Sequence, residues 1–151
     1  MRSPIEEKIV TARIALLLKK PFFGNMATRL KLIEKPEIGT AATDGRHLWY
    51  APEFIERLNP KQTEFLLAHE VLHVAFEHML RRGDRDPQAW NVACDYAINQ
   101  ILVDEGIGET PTGNDAPLLD EQYRGLSSEQ IFDQLSDYQK QLKTLDVHLS
   151  L

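Results

Sequence analysis

Cysteine is almost missing from this chain: Cys94 is the only one in 151 residues, which excludes an intrachain disulfide framework. Long apolar runs are missing too, since no uncharged stretch approaches the roughly 20 residues that span a bilayer. The opening segment MRSPIEEKIVTARIALLLKK carries Glu6 and Glu7 where a signal peptide would place its apolar core. A cytoplasmic location is the resulting expectation. Positive charge is in deficit: 17 Lys and Arg against 23 Asp and Glu leave a net charge of −6, a poor match for a phosphate backbone. Neither nucleic acid nor membrane is therefore expected as a partner. Bases thin out along the chain, and between Asp104 and Asp137 Arg124 is the only one. Lys8, Lys19 and Lys20 at the other end read as a solvated helix face. Internal repeats and low-complexity segments are absent. What remains is 42% hydrophobic, enough for one core, and residues 1–151 are read as a single α+β domain.

Local signals divide this domain. Ser3, Pro4 and Glu6 form a helix-starting signature, and an apolar stripe through Ile5, Ile9, Ala12 and Leu16 carries that helix to Pro21. Strand-like runs follow at Thr28–Glu34, Ile38–Thr43 and His47–Tyr50, the last two joined by a turn at Asp44-Gly45. A small antiparallel sheet is expected from them. Pro52–Leu58 reads as a short helix. Asn59-Pro60 then starts a long one reaching Arg82 and ended by Gly83, and Asp86-Pro87 starts another that stops near Gly106. Residues 106–125, rich in Gly, Pro, Asp and Thr, read as an extended loop, and Ser127 or Ser128 caps a last helix. The tail from Lys140 carries no recognisable stop.

The first long helix contains LLAHEVLHVAFEHML, three imidazoles and two carboxylates in an otherwise apolar run. His69, Glu70 and His73 spell H-E-x-x-H, which sets the two histidines about 40° apart on one face, so both can reach one cation. Burying them with Glu70 and no shared partner would be costly, and a metal removes that cost. Zn²⁺ suits such nitrogen ligands, and Glu70 is placed to take a proton from an acidified water. The third ligand is assigned to Asp95 on the next helix, where Asn91, Asp95 and Asn99 recur every fourth residue as a polar seam. His78 is the alternative, but it points about 140° from His73 unless the helix breaks. Asn99 or Asn91 is expected to accept an imidazole N–H through its carbonyl, and Glu77 either orients a ligand or reaches solvent.

These residues resemble the zincin metallopeptidases, and within them the gluzincin layout, although Asp95 stands where that layout has Glu. More closely, the ordered set ATDGRHLWYAPEFIERL, LLAHEVLHVAFEHMLRR, WNVACDYAINQIL and LLDEQYRGLSSEQIFDQL is similar to a bacterial and phage family of metallopeptidase domains that often precedes a von Willebrand factor A-like domain. That second domain is absent from these 151 residues. The resemblance implies a zincin-like fold with a small sheet packed on the active-site helix, a peptide or protein substrate, and a zinc-dependent hydrolase. Ile38–Thr43 or His47–Tyr50 would then hold an extended peptide by strand addition. Tyr123 is the first candidate to stabilise the oxyanion, with Arg124 and His47 behind it. A second reading keeps the metal for folding alone and makes the domain an interaction module for a von Willebrand factor A-like or ATPase partner. Glu70 argues against it, because a structural site needs no base.

Overall fold

A computed structural model describes residues 1–145 as an α+β domain of seven helices and a three-stranded sheet. Helix α1 (Pro4–Lys19) begins where the hydroxyl of Ser3 accepts the N–H of Glu6. Pro21 does more than end it. Proline also suits a first helical turn, and a second helix, α2 (Pro21–Thr28), starts there at once. The expected strand Thr28–Glu34 is accordingly shortened to β1 (Lys31–Glu34). The two helices pack so closely that a Cβ on Gly24 would lie 2.2 Å from the Cα of Leu17. Gly24→Ala is therefore expected to destabilise the domain by about 1–3 kcal/mol or more, read as a drop in the urea midpoint, because backbone must move.

The sheet differs from expectation in one respect. Its order is β1-β3-β2, with β2 (Ala41–Thr43) antiparallel to β3 (His47–Tyr50) but β1 parallel to it. A mixed sheet replaces the antiparallel one because the chain passes from β1 through a 3₁₀ turn at Pro36–Ile38 to the far edge, and then returns by the hairpin into the middle. That turn also shortens the expected strand Ile38–Thr43. The hairpin forms at Asp44-Gly45, where Gly45 takes φ +95° and the Asp44 carboxylate accepts the N–H groups of Arg46 and His47. With both edges paired, His47–Tyr50 has no room for an added strand.

Short α3 (Pro52–Arg57) leads to α4 (Pro60–Ala75), where Asn59 and Gln62 form a reciprocal capping box. Residues 63–73 of α4 are all buried, against α1, α2, β2 and α6 (Pro87–Asp104). Ile9, Leu16, Leu48, Phe54, Phe65 and Ile98 are among the side chains of the main core. A second cluster, with Val92, Tyr96, Tyr123 and Ile131, lies between α6 and α7 (Ser128–Gln134).

The long helix does not reach Arg82. It stops at Ala75, Glu77 adopts a left-handed conformation (φ 54°, ψ 37°), and a separate turn, α5 (His78–Arg81), follows. A non-glycine residue costs about 1–2 kcal/mol there, so tertiary contacts must hold the break. Trp90 Nε1 donates to the His78 carbonyl at 2.7 Å, and Arg81 donates to the Phe76 carbonyl at 2.8 Å while ion-pairing with Glu129 of α7. The Arg81 hydrogen bond holds the Glu129 carboxyl below its ordinary value of 4.5. The stability this partly exposed pair contributes is complete above that value and is lost as pH falls through the lowered folded one.

Candidate metal centre

Two helices and one break assemble the polar groups of the core. On α4, His69 and His73 are one turn apart, their rings edge to face with centroids 4.7 Å apart. Their Nε2 atoms are 3.1 Å from each other. From α6, Asp95 brings Oδ1 to 3.1 Å from His73 Nε2 and 3.4 Å from His69 Nε2. All three side chains are buried. Around a tetrahedral ion with ligands at about 2.0–2.1 Å, neighbouring donor atoms stand about 3.3 Å apart, so this triangle fits one face of such a site.

The tautomer of His69 follows from its other nitrogen. Asn99 Nδ2 donates to the Leu118 carbonyl at 3.1 Å, which turns its Oδ1 toward His69 Nδ1 at 2.8 Å. His69 must then carry its proton on Nδ1, leaving the Nε2 lone pair aimed into the triangle beside a carboxylate oxygen. His73 Nε2 faces both of these groups, and a shared cation would meet all three donor atoms at once. Asn99 thus orients the His69 imidazole through its carbonyl, an arrangement that metal-binding imidazoles commonly use. Asn99→Ala is expected to weaken metal binding by about 10–100-fold with the fold retained, measured by competition with a chromophoric chelator.

Asn91 lies one turn before Asp95 and donates to the Thr144 hydroxyl at 2.8 Å, so the ordering of the His69 imidazole falls to Asn99. Asp95 itself uses Oδ2 to accept the N–H of Leu145 at 3.0 Å. Glu70 is fully buried on α4, next in sequence to His69. Of the two readings of Glu77, the one that reaches solvent matches its place: at the helix break it is exposed.

That same break moves His78. A continuous helix would carry it away from His73, whereas the left-handed residue returns it, and the two Nδ1 atoms lie 3.2 Å apart. His78 Nε2 reaches the hydroxyl of Ser128 at 3.0 Å. His78 therefore stands behind His73, linking it to the first turn of α7. Sequence gave no pointer to Ser128 or to the strap at 142–145, because both reach the site from 50 residues away.

The first candidate for the oxyanion packs in the second apolar cluster. Tyr123 is buried against Tyr96 with centroids 4.9 Å apart, and its hydroxyl accepts from Gln139 Nε2 at 3.1 Å. Tyr96 lies about 100° round α6 from Asp95, so this cluster belongs to another face of the helix. Arg124 is paired with Asp104 and His47 with Asp44.

Comparison with known proteins gives a consistent setting. Residues 4–146 match a family described as "Putative metallopeptidase domain". A relative from Thermotoga maritima, named only "Uncharacterized protein", is 28% identical over 104 residues, 64% of this chain. Those residues make up 26% of the relative, so the chain spans about a quarter of its length. No solved structure matches significantly. No helix among the described residues is long and apolar enough to cross a membrane.

Proposed function

Since the chain belongs to this metallopeptidase-domain family, we propose that it is a zincin-type peptidase in which His69, His73 and Asp95 hold Zn²⁺ and Glu70 is the general base. The observation that carries the reading is the buried triangle of donor atoms 3.1–3.4 Å apart, with His69 fixed by Asn99 as the lone-pair tautomer. Nitrogen and carboxylate donors in this number suit zinc at a catalytic site, where three protein ligands leave a position open. When bound, the ion supplies the Lewis acidity that makes a water a nucleophile near neutral pH.

The chain's own residues do the rest. A Glu70 carboxylate oxygen accepts the proton as water oxygen adds to the peptide carbonyl carbon, then delivers it to the amide nitrogen as the C–N bond breaks. Asn99 and His78 keep the two imidazoles from rotating, and the apolar walls of α4 and α6 exclude bulk water. The packing of α4 against β2 and α6 supports the zincin-like reading, in which a sheet edge lies near the ligand helix.

Protein purified without metal-affinity resin and reconstituted with Zn²⁺ is expected to retain about one ion per chain and to cleave casein or a peptide library. A wild-type chain that holds no metal, or a His69→Ala/His73→Ala chain that keeps it, would overturn the proposal.

A further inference from the structure

Residues 142–145 leave the turn at Gln139–Gln141 extended, with Leu142 at φ −65° and ψ 151°, and run along the polar seam of α6 to the site. Gln88 Nε2 donates to the Leu142 carbonyl at 2.7 Å and Lys143 Nζ to the Asn114 carbonyl at 3.2 Å. Asn91 holds the Thr144 hydroxyl. The main chain of Leu145 is gripped on both sides: its N–H by Asp95 Oδ2 at 3.0 Å, its carbonyl by the hydroxyl of Thr40, just before β2. Its side chain is buried in the main core. Exposed and partly buried positions alternate from Gln141 to Thr144, and Leu145 is buried. A cleft of about 340 Å³ continues beside it, lined by Thr40, Phe54, Arg57, Asp115, Thr144 and Leu145.

A segment held by its main chain, with one aliphatic side chain in a pocket, is bound the way an extended peptide is recognised. The Leu145 N–H rests on Asp95 Oδ2, while Oδ1 of the same carboxylate faces His73, so Leu145 lies one carboxylate away from the metal position. We infer that the groove between the Gln88–Asn91–Asp95 seam and Thr40 is a peptide-binding groove that takes an aliphatic side chain beside the metal, and that residues 142–145 occupy it in competition with substrate. The inference rests on the peptidase reading for the word substrate, but the groove itself does not need cleavage to be tested.

Leu145→Asp puts a charge where the pocket is apolar and frees the strap. The pair Lys143→Ala with Thr144→Val removes two tethers on the strap's own side and leaves the groove and the core intact, so the decision rests equally on it. Each is made in the full zinc-loaded chain, and binding of a fluorescein-labelled QLKTL peptide, the sequence of residues 141–145, is followed by anisotropy. Both variants are expected to bind it about tenfold or more tightly than the unchanged chain, because the closed fraction no longer competes. A QLKTD peptide is expected to bind at least about tenfold more weakly than QLKTL. Equal binding of QLKTL by the variants and the unchanged chain, or of QLKTD and QLKTL by the variants, overturns the inference. Tight binding without any cleavage supports the groove and counts only against the peptidase reading.

Discussion

Glu70→Gln is expected to keep the metal and the fold while lowering peptide hydrolysis by about 10²–10⁴-fold. Glutamine matches glutamate in shape, so a fully buried side chain next to His69 can be exchanged without opening a cavity. What the exchange removes is the ability to accept a proton and hand it on. Single-turnover cleavage of a fluorogenic peptide, with metal content and melting temperature measured on the same sample, separates the two. A Glu70→Gln chain that cleaves as fast as the wild type would exclude Glu70 as the base. A chain that loses its metal with the substitution would instead make Glu70 part of the binding site.

The second large effect concerns the fold. Stripping the ion with a chelator should lower the melting temperature of the wild-type chain by about 10 °C or more, and adding Zn²⁺ back should restore it. At a free metal concentration a thousand times the dissociation constant, binding stabilises the folded state by about 4 kcal/mol. In a domain of this size each kcal/mol moves the midpoint by about 2–4 °C. Removal also takes away the one group that could meet all three donor atoms of the buried triangle together. His69→Ala with His73→Ala is the control: its midpoint should not respond to chelator. A wild-type midpoint equally indifferent to chelator and to Zn²⁺ would mean that these three residues hold no ion.

Much of this site was legible in the sequence because its pattern is local. H-E-x-x-H fixes two side chains on one face by helical geometry alone, and the Asn91–Asp95–Asn99 seam announces a second helix with polar groups to bury. Caps at Ser3, Asn59, Asp86 and Ser127 set four helix starts where the structure has them. The misreadings share a different cause. Nothing within residues 74–79 specifies a helix break; contacts from Trp90 and Glu129, distant in sequence, impose it. The parallel pairing of β1 with β3 is likewise a property of chain path, which strand periodicity does not encode. Pro21 was read for the helix it ends and not for the one it begins. Tyr123 could be placed on a loop from composition, but which face of α6 that loop covers depended on Tyr96.

The spacing of these contacts along the chain also sets an order of events. His73 meets Asp95 across 22 residues, His69 meets Asn99 across 30, and both His78–Ser128 and Asp95–Leu145 close loops of 50. Each closure loses chain entropy before its contact forms, and a cation offers no return on that loss until the donors are already together. The two histidines of α4 can meet early, within one helix, and the Asp95 carboxylate joins them across the shortest of these closures, whereas Ser128 and Leu145 arrive only when more distant segments have docked. The three donors can thus come together before their supports do, so an ion captured there would favour the pairing of α4 with α6 ahead of the finished native state.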